Sequence, residues 1–150
     1  MAVPSKVAAE ELQRIARRSY VQRNFQVALI NSPGDPSAAT LWDEIKDKEV
    51  GFNLATAPGG YTRQGFSFDD GDIDVYADGK RSLARRTVTF EHTASFGDSI
   101  RFTHVAVLSN DSEGEKLVSL TRLASTATLS DGQKAIFNFD FTLYGVYVVE

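Results

Sequence analysis

Residues 135–149 read AIFNFDFTLYGVYVV, the cleanest alternation in the chain. On an extended backbone Phe137, Phe139, Phe141 and Leu143 fall on one side, and Asn138, Asp140 and Thr142 on the other. A period of two does not build a helix face. It asks for a sheet with one apolar side, and that sheet needs partners of the same texture.

The chain supplies them. NFQVALIN, residues 24–31, alternates Phe25, Val27 and Leu29 with Gln26, Ala28 and Ile30, and reads as a central strand. Thr87, Thr89 and Glu91 alternate with Val88, Phe90 and His92 after Asp78–Gly79, a strong hairpin dipeptide. SIRFTHVAVLSN and LVSLTRLA, separated by DSEGEK, are two more β-rich runs, and LSDGQK turns the chain into its last segment. Short strands at intervals of roughly 8–15 residues with turns between them predict a mainly β fold, an antiparallel β-sandwich.

Two stretches break the β texture. Ala8, Leu12, Ile15 and Ala16 share one stripe at helical spacing, with Glu10 and Glu11 early and Arg14, Arg17 and Arg18 late, an order that suits the helix dipole. Ser5 is the expected N-cap, and residues 1–23 are expected to form a helical arm ahead of a single sandwich domain over 24–150. SPGDPSAA is a loop, since Pro33, Gly34 and Pro36 cannot continue a ladder. Thr40 then caps a short helix near residues 40–47, LWDEIKD, anchored by Trp42 or Leu41 with Ile45.

At 150 residues the chain is long enough to bury a core without staples, and it has no cysteine, which removes disulfides, thiolate metal sites and cysteine nucleophiles. A net charge of −4 is not that of a typical nucleic-acid binder. No apolar run reaches the ~20 residues of a membrane helix, and MAVPSKVAAEELQRIARR lacks the apolar region of a secretory signal. Neither nucleic acid, membrane nor a cofactor is expected as a partner.

Several motifs invite chemistry. GGYTRQG, residues 59–65, has the glycines of a phosphate loop, but FSFDDGDID follows it and no helix pattern does. The expected role of Gly59 and Gly60 is to adopt a backbone that other residues resist, turning Tyr61 inward. Asp70, Asp72 and Asp74 have the 1-3-5 spacing of a calcium loop, yet Val75 and Arg81 stand where glycine and glutamate belong, so a solvated edge is expected. His92 and His104 each lie in a predicted strand and outside any ligand or nucleophile motif. Tyr61, Phe66, Phe68, Tyr76 and Phe96 fall in or near loops. They could stack on sugars at one end of the sandwich, but capping of the core or packing against a neighbouring subunit is expected.

The order FQVALINS, WDEIKDKEV, GGYTRQG, RRTVTFEHTASFGDSIRFTHVAVLSND, LVSLTRLA and LSDGQKAIFNFDFTLYG resembles the small virion structural proteins of tailed bacteriophages over about residues 24–145. The resemblance implies a non-enzymatic sandwich acting as a repeated tail, baseplate, fibre-associated or capsid-decoration subunit. It implies assembly in the host cytoplasm, with itself and other virion proteins as partners and no catalytic residues. Leu12, Ile15 and Arg18 on the arm, with Tyr61 and Phe66, are then the interface candidates. Two rivals remain: a carbohydrate-binding adhesion module, and a hydrolase with a dispersed site, which would need His92 or His104 in a pocket within reach of a carboxylate.

Overall fold

The computed structural model describes residues 3–6, 23–36, 42–75, 80–83, 85–93, 98–111, 114–139, 142–144 and 146–149. The fold is mainly β. In chain order the strands are β1 (Val3–Lys6), β2 (Asn24–Ile30), β3 (Gln64–Ser67), β4 (Ile73–Val75), β5 (Lys80–Leu83), β6 (Arg86–Glu91), β7 (Ile100–Asp111), β8 (Gly114–Leu129), β9 (Lys134–Phe139), β10 (Thr142–Tyr144) and β11 (Val146–Val149). One short α-helix, α1 (Trp42–Ile45), lies between β2 and β3. It is the helix expected near residues 40–47, and Trp42 and Ile45 are its two buried anchors. Thr40 and Leu41 lie outside the described residues.

The chain divides into two compact units. The larger comprises Asn24–Phe66 and Val88–Phe137. Its main sheet has the order β3-β2-β7-β8, so β2 is central, as its pattern predicts. Strands β2 and β7 pair antiparallel from Asn24↔Asn110 to Ile30↔His104. Both faces of β2 are buried. Ala28 and Ile30 join Trp42, Ile45, Ala106 and Leu108 in one cluster, with Leu117 and Leu120 packed against it. Phe25, Val27 and Leu29 point the other way and are equally buried. A second layer is the ribbon β6-β9. Phe137 of β9 meets Phe90 of β6 and Phe102 of β7 edge-on, each at 6.1 Å between centroids, which packs the ribbon on the sheet. The alternation read from Thr87 to His92 is observed: Val88, Phe90 and His92 are buried and the residues between them exposed.

The smaller unit comprises Met1–Arg23, Ser67–Thr87 and Asn138–Glu150. It contains the sheet β10-β5-β4 and the pair β1-β11. Strands β4 and β5 pair antiparallel from Ile73↔Leu83 to Val75↔Arg81, and the expected hairpin dipeptide Asp78–Gly79 between them lies outside the described residues. Val3–Lys6 pairs with Val146–Val149, so Ser5 sits in a strand and is not a helix cap. The remainder of the expected arm, with Leu12, Ile15 and Arg18, lies outside the described residues. The last alternating run also differs from one long strand. Its pieces β9, β10 and β11 serve three different sheets.

Candidate functional site

The segment 59–64 is built as a strap along the edge of β2. Gly59 and Gly60 have φ of +60° and +76°. A Cβ on Gly59 would lie 2.4 Å from His92 Cδ2, and one on Gly60 2.3 Å from Thr93 Oγ1. Only glycine permits both the left-handed backbone and the close approach to His92 and Thr93. The turn delivers Tyr61 inward, as its sequence predicts. Its hydroxyl accepts the Leu29 N–H at 3.0 Å and donates to Glu49 Oε2 at 2.7 Å. Glu49 is in place because the chain after α1 tightens into a 3₁₀ turn (Lys46–Lys48) and then bridges Ile30, with the Val50 N–H donating to the Leu29 carbonyl. Tyr61 thus satisfies a strand-edge donor that would otherwise be stranded in the interior.

Two residues on, Arg63 forks onto Glu49, donating from Nε to Oε2 at 2.9 Å and from Nη2 to Oε1 at 2.7 Å. Its Nη1 donates to Glu115 Oε1 and Gln26 Oε1. The guanidinium lies 5.5 Å from the centroid of Trp42, whose Nε1–H donates to Glu115 Oε2. The Glu49 hydrogen bonds, then Glu115, hold the Arg63 proton more tightly than an ordinary arginine does, against the opposing effect of burial. Burial, reinforced by the Glu49 charge, pushes the Tyr61 hydroxyl well above the usual tyrosine range. This network is internal bracing. Every oxygen of Glu49 and Glu115 named here is already engaged.

Above the strap a cleft of about 290 Å³ opens against β6. Tyr61, Phe90 and Ile100 contribute apolar surface, and Thr62, Gln64, Thr89, Glu91 and Thr93 contribute polar groups. The Tyr61 ring is backed by Phe90, with centroids 6.0 Å apart and planes at 22°.

A second, smaller cleft of about 150 Å³ lies beside His104. It exists because β8 bulges. His104 pairs with Arg122 and Phe102 with Ala127, so Leu123–Thr126 bow out opposite Thr103. His104 is buried. Its Nδ1 is 2.7 Å from Thr103 Oγ1, and its Nε2 is 3.3 Å from Asp35 Oδ1. A carboxylate only accepts, so Nε2 carries a proton. Asp35 also takes Arg122 Nη1 in an exposed pair. The Thr103 hydroxyl accepts the Ser32 N–H and faces the carbonyls of Ile30 and Ser32 at 3.2 and 3.1 Å. Those contacts clamp the loop after β2 to β7 and commit the hydroxyl that a nucleophile would need. His92 lacks a carboxylate partner among the described residues: its Nε2–H donates to the Asp98 carbonyl, and Nδ1 is buried without a partner there.

The remaining sequence candidates are dispersed. Phe66 stacks on Phe25 at 5.3 Å, inside the larger unit. Phe68 is buried in the smaller unit beneath Arg86, 4.8 Å from its ring centroid. Asp70 and Asp72 form a 3₁₀ turn and Asp74 lies in β4. Asp72 Oδ2 accepts Arg86 Nη2 at 2.6 Å and the Asp69 N–H at 2.7 Å, so an arginine already neutralises it. No cluster of three metal-ligating side chains occurs among the described residues. Tyr76 and Phe96 lie outside them. Sequence reasoning missed Glu49, Glu115 and the β8 bulge. No helix among the described residues is long and apolar enough to cross a membrane. No family model matches the chain, and no curated protein matches its sequence.

Proposed function

We propose that this chain is a non-enzymatic assembly subunit of a tailed-phage particle, one that acts by protein–protein contact with copies of itself and other virion proteins. The observation that carries this reading is β8. It is a sixteen-residue strand at the end of the main sheet. At ~3.3 Å per residue it offers an edge about 50 Å long. Its only charged residues are Glu115, Lys116 and Arg122, and Val118 is an exposed large hydrophobic on it. Proteins that stay apart usually defend such an edge with charge, proline or brevity. Here a bulge guards Leu123–Thr126 and a smaller irregularity leaves Val118 without a partner on β7, while Ser119–Arg122 pairs regularly with β7 and has no strand on its other side among the described residues. The commitment of Thr103 to backbone groups favours a bracing role for the His104 cluster over hydrolysis.

The test is incorporation. Purified particles should contain the chain by mass spectrometry. A Val118→Lys, Thr121→Lys double variant should keep its far-UV spectrum yet fall out of particles by ~10-fold or more, since two charges oppose edge pairing. Wild-type occupancy of the double variant, or absence of the wild-type chain from particles, overturns the reading.

A further inference from the structure

The cleft between the strap and β6 is unexplained by an assembly role. Along β6 and just beyond it, Thr89, Glu91 and Thr93 project on one exposed face at a spacing of two. Thr62 and Gln64 stand on the strap side of the same cleft. These groups supply hydroxyls, an amide and one carboxylate, which can both donate to and accept from a polyhydroxylated ligand. Beneath them the Tyr61 hydroxyl is already committed to Glu49 and the Leu29 N–H, so Tyr61 offers the cleft ring surface and not a polar group. Among the described residues lining the cleft there is no lysine, arginine or histidine, and Glu91 is the one charge. That combination repels phosphates and acidic sugars. It suits a ligand with an apolar C–H face and a rim of neutral hydroxyls.

We infer that this cleft is a binding site for one uncharged pyranose unit of a glycan. Thr89 and Glu91 hydrogen-bond its hydroxyls, Thr93 Oγ1 and Gln64 Oε1 accept from them while the Thr93 hydroxyl and the Gln64 amide donate to the Gly59 and Thr62 carbonyls, and the Tyr61 side of the cleft packs against its ring. Tyr61 is rigidly placed by the Gly59–Gly60 turn and by two hydrogen bonds, so the site is formed before the sugar arrives. The inference stands apart from the assembly reading, because β8 contributes nothing to this cleft.

The test is an amide-resolved NMR titration of the full chain with methyl glucoside, methyl galactoside and methyl N-acetylglucosaminide, with glucuronate as the charged comparison. Millimolar neutral glycoside should move the amides of residues 60–64 and 89–93. Thr89→Trp, at an exposed position, should fill the cleft and weaken binding by ~10-fold or more. Glu91→Gln should weaken it several-fold with an otherwise unchanged spectrum, since it removes a charge-assisted acceptor. Val118→Lys with Thr121→Lys should bind as the wild type does, which separates this site from the edge. The site is overturned if no neutral glycoside shifts these amides, if shifts map elsewhere, if glucuronate binds as tightly, or if Thr89→Trp binds unchanged. Shifts in these amides produced only by raising the concentration of the protein itself would assign the cleft to a second copy and overturn it equally.

Discussion

Strands β7 and β8 are two arms of one hairpin, yet they live in different surroundings. From Phe102 to Ser109 every residue of β7 except Thr103 is buried, whereas among the residues of β8 only Leu129 is. Composition does not cause the contrast. Leu117, Leu120 and Leu123 are as apolar as Val105, Val107 and Leu108. Position in the sheet causes it: among the described residues β7 has a strand on each side, and β8 has one neighbour. On the buried arm His104 has fixed partners, Thr103 and Asp35. Outside, the strand can bulge, and at Leu123–Thr126 it does.

The sharpest way to break that contrast is to truncate one apolar side chain on each arm. Phe102 is fully buried and meets Phe137 edge-on. Phe102→Ala should lower unfolding free energy by about 3–5 kcal/mol. Val118→Ala on the open arm should change it by less than about 0.5 kcal/mol. Chemical denaturation of both variants checks the pair. A Val118 cost above about 1 kcal/mol would mean that β8 is covered in solution, and should then vary with protein concentration.

The next largest effect concerns the strap. Gly59→Ala places a methyl group 2.4 Å from His92 Cδ2 at a φ of +60°. Strain of the left-handed backbone and overpacking against a buried ring each cost about 1–3 kcal/mol, so a loss near 3 kcal/mol is expected. Gly34→Ala, where nothing lies within 4 Å, is the matched exposed glycine and should be nearly silent. Thermal melts of the two variants give the comparison directly.

What was legible in the sequence follows the range of the forces involved. Period-two alternation is local, and it located β2, β6 and β9; it gave the buried side of β6 and the half-buried side of β9 that carries Phe137 and Phe139, whereas β2 is buried on both faces. The Gly59–Gly60 pair announced a turn that presents Tyr61 inward, because a demand for positive φ is written in one or two residues. Strand order is not local. The run 135–149 reads as one strand but is divided among three sheets, since pairing partners are chosen far along the chain. The partners of Arg63 were equally hidden. Glu49 is 14 residues away and Glu115 is 52, and nothing in the spacing singles them out from the other acids. The β8 bulge carries no glycine or proline to mark it: LASTAT is ordinary strand sequence. The start of the N-terminal element was misread at Ser5 because a good cap residue cannot outweigh a tertiary partner, here Val146–Val149.

The smallest effect is the most diagnostic of the interior. Tyr61→Phe keeps the ring against Phe90 but removes the hydroxyl that joins Leu29 N–H to Glu49. Leaving a buried donor and a carboxylate oxygen without that partner should cost about 1–2 kcal/mol at neutral pH. The same hydroxyl predicts a pH signature. Burial, then the Glu49 charge, raises the folded-state pKa of Tyr61 above its ordinary value of 10.0. Below pH 10 the group is protonated in both states, and its contribution is fully present. As pH rises through the ordinary tyrosine value, the unfolded chain releases the proton while the folded chain keeps it. Stability must therefore fall, by about 1.4 kcal/mol per pH unit from this one group. Tyr61→Phe should be less stable than wild type at pH 8 and should show a shallower decline between pH 10 and 11. Denaturation midpoints measured across that range check it. Equal slopes in the two proteins would mean that water reaches the Tyr61 hydroxyl, and that the strap is not the closed brace its hydrogen bonds describe.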